Sequence, residues 1–185
     1  AGLAGRRIYF SGTSAAAPFV SGALAALRAR FPQLSVAELR ARLLDNANNL
    51  GAAGRDPYFG AGILRLDRAM RSTFDRVNDL AVTSLYFDPP APRHGEHVTV
   101  YFVVQNQGTE SITGAQWRDS IDGARSSMTL PMLKPGACYE IRRSWTVPPL
   151  IGDGGARIEG TVRCSATETS LRNNGKAITL YNPAQ

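Results

Sequence analysis

His97-Val98-Thr99-Val100-Tyr101-Phe102-Val103-Val104-Gln105-Asn106 is the run whose reading decides how the larger part of this chain folds. Val98, Val100, Phe102 and Val104 fall on one face, and Thr99, Tyr101, Val103 and Gln105 on the other. An extended backbone alternates its side chains with a period of two, so the run reads as a strand with an apolar face. The pattern returns at Tyr139, Ile141, Trp145 and Val147, and again at Ile158, Gly160, Val162 and Cys164. Further strands are expected over 80–87, 115–121, 126–130 and 176–180. Turn-forming residues punctuate them at Pro89-Pro90, Gln107-Gly108, Asp122-Gly123, Lys134-Pro135-Gly136, Asp153-Gly154-Gly155 and Asn173-Asn174-Gly175. About seven short strands at regular spacing predict an immunoglobulin-like β-sandwich.

Upstream the periodicity changes. Residues 7–11 read as a short extended piece, and from there to about Phe74 the chain is mainly helical. A helix over 14–30 is apolar nearly all round until Arg28, which predicts burial, and Pro18 is assigned to its first turn. Ser35-Val36-Ala37-Glu38 is a capping box announcing a second helix. Its apolar stripe is Leu39, Leu43, Leu44, Ala47 and Leu50, with Arg40 and Arg42 facing solvent, Pro32 before it and Gly51 after it. Gly60-Ala61-Gly62 leads to Ile63-Leu64, and a short helix is expected over 67–74. The change of period places a boundary near 75–79, dividing the chain into units 1–75 and 76–185.

The chemistry lies in Gly12-Thr13-Ser14-Ala15-Ala16-Ala17-Pro18. A serine hydroxyl is a weak nucleophile at neutral pH and needs a general base and a place for the oxyanion. Where a strand turns into a helix, the first N–H groups are unpaired and the helix dipole is positive, which favours negative charge. Gly12 allows a tight turn and leaves space for substrate.

Those residues resemble the subtilisin-like serine protease (subtilase, peptidase family S8) signature around the catalytic serine, Gly-Thr-Ser-x-Ala-x-Pro followed by His-Val-x-Gly. Gly12, Thr13, Ser14, Ala16, Pro18, Val20 and Gly22 stand at matching positions, while Ala15 replaces the usual methionine and Phe19 the usual histidine. The second helix, Phe59-Gly60-Ala61-Gly62 and the short helix after it also fit the family. The resemblance implies an α/β subtilase fragment, with Ser14 as catalytic nucleophile and Gly12, Thr13 and Ser14 forming the active-site loop beside the oxyanion. It implies a protein or peptide substrate and a serine endopeptidase activity in the complete protein.

Such an enzyme supplies Asp, His and Ser in that order. The thirteen residues before Ser14 hold neither Asp nor His, nor the family's oxyanion Asn. The chain alone is therefore expected to be inactive, with those residues coming from an upstream catalytic segment or companion chain. His94 and His97 fall in the sandwich half and are given no triad role, and Asp45, Asp56 and Asp67 read as helix-end or loop residues. One strand cannot close a doubly wound sheet, so the helix over 14–30 expects a sheet beside it.

The sandwich half resembles CARDB-like immunoglobulin-like modules appended to secreted hydrolases. The likeness rests on Asp79-Leu80-Ala81-Val82, the strand ending in Asn106-Gln107-Gly108, Leu133-Lys134-Pro135-Gly136 and Asn173-Asn174. Asp119, Asp122 and Asp153 fit no EF-hand spacing, and Asp122-Gly123 reads as a hairpin turn. No metal ligand and no cofactor are expected. Cys138 and Cys164 exclude a Cys-rich zinc site, and a disulfide between them is left open. Cys138 alternates with Glu140 and Arg142 on the outward face, whereas Cys164 continues an inward set.

A formal charge of +6 raises the question of nucleic acid, but the cations are nearly all arginines, with Lys134 and Lys176 the only lysines, scattered along the chain. No run tracks a phosphate backbone, so no nucleic-acid partner is expected. No apolar run is long enough to span a bilayer, and the family resemblance implies a bacterial secreted or cell-surface location. The rival reading is a binding or adhesion module carrying a protease remnant. A further one is an independent adhesion domain over 76–185.

Overall fold

The computed structural model describes residues 11–71, 75–149 and 155–181. Most of the extended piece expected over 7–11, the end of the helix expected over 67–74, and Asp153 with most of its turn lie outside the described residues.

Among the described residues seven strands are present: β1 Leu80–Asp88, β2 His97–Asn106, β3 Gln116–Ile121, β4 Ala124–Thr129, β5 Cys138–Thr146, β6 Ala156–Arg163 and β7 Gly175–Leu180. They form a three-stranded sheet, β1-β2-β5, and a four-stranded sheet, β4-β3-β6-β7, with antiparallel pairing throughout. Val98, Val100, Phe102 and Val104 of β2 meet Trp117 and Ile121 of β3 and Ile158 and Val162 of β6 in one buried core. Phe102 and Trp117 pack tilted, ring centroids 5.0 Å apart. A bulge at Thr83 resets the register between Val82 and Ser84, so Val82 and Leu85 both reach the core. The β3–β4 hairpin closes through Asp122 (φ 50°) and Gly123 (φ 85°), the two positive angles that a type I′ turn needs.

The Asn173-Asn174 pair joins the two sheets. The Asn173 carbonyl accepts from Val82 N (2.8 Å) on β1, and the Asn174 carbonyl accepts from Val162 N (2.8 Å) on β6. The buried Asn174 amide donates to the Val162 carbonyl (3.1 Å) and to Glu168, which also accepts from Leu80 N (2.9 Å).

Three helices precede the sandwich: α1 Thr13–Arg30, α2 Val36–Asp45 and α3 Leu66–Ala69. Ala23, Leu27, Phe31, Leu39, Leu43 and Ala69 form their small core. Several expectations are corrected here. Helix α1 is not buried, because only its C-terminal half meets α2, so Phe19 stays 73% exposed and Val20 44%. Among the described residues no strand lies beside it. Pro18 is not in the first turn: the helix begins at Thr13, so the proline ring removes the donor that would reach the Ser14 carbonyl. Helix α2 ends at Asp45 rather than near Gly51, since the Asn46 amide turns back to the Arg42 carbonyl (2.8 Å), and Leu44 lies outside the buried stripe. Arg42 does not simply face solvent. It sits over the Phe31 ring (4.3 Å), and its guanidinium donates to the Ala69 carbonyl (2.7 Å) and to that of Arg71.

Candidate functional site: the Ser14 turn and its support

Ser14 occupies the first turn of α1, where N–H groups have no carbonyl four residues back within the helix. Gly12 enters the helix at φ 110° and ψ 178°, a backbone open to glycine and strained for other residues, and its carbonyl accepts from Ala15 N (3.0 Å) and Ala16 N (3.2 Å). Gly12, Thr13 and Ser14 are all exposed, and no acidic side chain in the first turn opposes the positive helix end. The hydroxyl is thus presented to solvent at a helix N-terminus, an electrostatic setting that favours a developing anion.

The other titratable groups weighed from the sequence lie elsewhere in the fold. His97, on β2, has Nε2 2.7 Å from Ser144 Oγ and Nδ1 3.1 Å from Thr146 Oγ1, both on β5. His94 is an exposed turn residue. Asp56 accepts from Tyr58 N (2.7 Å) and Phe59 N (2.8 Å), a turn-forming role. The bidentate hydrogen bond from Arg65 holds the Asp67 carboxyl below its ordinary range. Asp119 belongs to the core: it accepts from Trp117 Nε1 (2.7 Å) and lies 3.5 Å from Arg143 Nε. Among the described residues no three His, Cys, Asp or Glu side chains gather as a metal site.

The helical segment is supported by the outer face of the three-stranded sheet. Gln105 Nε2 donates to the Ala47 carbonyl (3.0 Å), and Asn49 N returns a bond to Gln105 Oε1 (3.2 Å). Gln107 Nε2 donates to Asn48 Oδ1, and Arg71 Nη1 to the Gln107 carbonyl (2.9 Å). Gly136, at φ 77°, comes so close to the end of α2 that an added Cβ would sit 2.7 Å from the Asp45 carbonyl oxygen. Cys138 faces outward as its register predicts, yet the helical segment covers it, and burial pushes its thiol pKa up. Cys138 and Cys164 are both free thiols. The sequence placed Gln105 on the second face of the strand and Gln107 in the Asn106-Gln107-Gly108 turn, and nothing in it named a partner for either.

Two family models match separate stretches of the chain. The subtilase family model matches residues 4–62, and the CARDB model matches residues 77–178, more than half of the chain. The chain belongs to the CARDB family. An extracellular serine protease of Serratia marcescens is 34% identical over 102 residues, 55% of this chain and 9% of that protein. The autotransporter lipoprotein NalP of Neisseria meningitidis serogroup B is 43% identical over 63 residues, 34% of this chain and 6% of that protein. The chain spans less than a tenth of these relatives' length. A solved CARDB domain from Pyrococcus furiosus superposes with a TM-score of 0.48 at 21% identity, covering 60% of this chain and 92% of that one. The segment that the CARDB model matches is the all-β sandwich described above, and the small helical part before it has its relatives among subtilisin-like proteases. Among the described residues, no helix is long and apolar enough to cross a membrane.

Proposed function

We propose that this chain is a piece of a secreted or surface serine endopeptidase, with Ser14 as its nucleophile and the CARDB module as an appended support. The observation that carries the reading is the placement of Ser14 on the exposed first turn of α1, directly after a glycine at φ 110° and within the segment that matches the subtilase family. In this reading Ser14 Oγ attacks the substrate carbonyl while a histidine takes its proton. The Ser14 backbone N–H then shares the oxyanion with a side-chain amide. The aspartate, histidine and asparagine come from an upstream segment or companion chain, whose sheet would cover the bare face of Phe19 and Val20. The names of the Serratia and Neisseria relatives support the extracellular location.

The experiment is peptide hydrolysis by the complete protein and by its Ser14→Ala variant. The variant is expected to lose activity by several orders of magnitude with substrate binding retained. Unchanged turnover in the variant would remove Ser14 from the chemistry and leave the CARDB module as the working part.

A further inference from the structure

Folding gathers cations that the sequence scatters. Arg65, Arg68 and Arg71 recur at every third position through α3 and its flanks, and Arg172 and Lys176 come from the turn before β7 and its start. Arg65, Arg71, Arg172 and Lys176 line one cleft of about 520 Å³ at the seam between the helical segment and the CARDB module. Buried Arg68 stands within electrostatic reach of Arg65 and Arg71, with Nε and Nη1 lacking any hydrogen-bond partner. Burial first, then those two neighbouring cations, lowers its pKa to about 10.

The local carboxylates do not balance this charge. Asp67 is taken by Arg65, and Asp79, the one carboxylate lining the cleft, is buried and accepts from Asn173 Nδ2 (2.8 Å). No ion pair among the described residues engages Arg71, Arg172 or Lys176. Like charges gathered in a partly desolvated cleft repel, and a bound anion turns that repulsion into attraction.

We propose that this cleft binds a tetrahedral oxyanion, a phosphate or sulfate group. The donors suit one. Arg71 is oriented by its bond to the Gln107 carbonyl (2.9 Å), leaving the rest of its fork free. The Ser170 hydroxyl accepts from Arg172 N (3.3 Å) and keeps its own proton to donate, and the Lys176 ammonium is exposed. Because Arg65 and Arg71 belong to the helical segment and Arg172 and Lys176 to the sandwich, the bound anion ties the two together. This inference is independent of the role of Ser14.

The test is calorimetric titration of the full chain with inorganic phosphate, inorganic sulfate and a sulfated tetrasaccharide at constant ionic strength. Saturable binding is expected, and it weakens by about tenfold or more when Arg172→Glu and Lys176→Glu are combined. Both side chains are exposed, and circular dichroism confirms that the variant folds. The control combines Arg118→Glu and Arg125→Glu on the outer face of β3 and β4, outside the cleft, which changes net charge equally and is expected to leave affinity intact. Stronger binding of the tetrasaccharide than of the inorganic ions identifies a sulfated glycan as the source, and equal binding identifies the free anion. Absence of saturable binding, or equal weakening by the control pair, overturns the proposal.

Discussion

Gly160 lies directly beneath the Trp117 indole: an added Cβ would sit 2.2 Å from its Cη2 and 2.8 Å from Phe102 Cδ1. The backbone angle at this position is ordinary, so the constraint is space alone. Gly160→Ala is expected to lower stability by about 1–3 kcal/mol through overpacking, read as a fall in the urea midpoint with an unchanged slope. The same tryptophan donates to buried Asp119 (2.7 Å), whose other oxygen faces Arg143. Asp119→Leu strands the indole N–H and is expected to cost about 1–3 kcal/mol by the same measurement, whereas Asp119→Asn retains an acceptor and costs less. Alternation assigned Gly160 to an inward set, whereas Trp117 was legible only as part of the strand expected over 115–121. A period of two puts Asp119 on the same face as Trp117, but the sequence does not show what satisfies a buried carboxylate there: Arg143 reaches it only from β5.

Helix α2 is the element whose local code was most complete. The capping box forms as its spacing requires, with Glu38 N donating to Ser35 Oγ (3.2 Å) and Ser35 N to Glu38 Oε2 (2.7 Å). Hydrogen bonding of the carboxylate to the Ser35 hydroxyl, and then to the Ser35 backbone N–H, favours its ionised form, so the Glu38 pKa is held below the ordinary glutamate value. A folded pKa depressed in this way contributes stability that is present above the unfolded value and lost as pH falls through the folded one. The protection of the α2 amides, taken relative to their intrinsic exchange rate at each pH, is expected to fall on acidification through and below the ordinary glutamate range, and Glu38→Gln should flatten that dependence. Ser35→Ala is expected to cost about 1 kcal/mol at neutral pH, in the same amides. The strands were legible for a similar reason: β2 runs over the same residues as its alternation predicted, and the others agree to within two residues at either end. Helix α1 was legible as a helix but not in its surroundings. Its apolar circumference specifies a partner on every side, and the described residues supply one only around Ala23 and Leu27.

At the scale of the whole molecule, the two units meet through amides rather than apolar side chains. Gln105 exchanges hydrogen bonds with Ala47 and Asn49, and Gln107 reaches Asn48, so the end of the helical segment is fastened to the outer face of β2. Gln105→Ala leaves buried partners unpaired. It is expected to separate a single thermal transition into two, with the Ala47–Asn49 amides exchanging early while the CARDB core stays protected. The same seam carries the basic cleft, and both were invisible in the sequence because their members lie far apart along it. The Ser14 proposal, by contrast, rests on a short motif whose members are neighbours in the sequence. The central claim is that this hydroxyl, held at a helix N-terminus, becomes nucleophilic once a base is brought to it. The direct measurement is labelling of the complete protein with a fluorophosphonate probe, followed by peptide mapping. The account predicts a single adduct on the peptide containing Ser14, absent in Ser14→Ala. A complete, folded protein that carries no adduct there would contradict it.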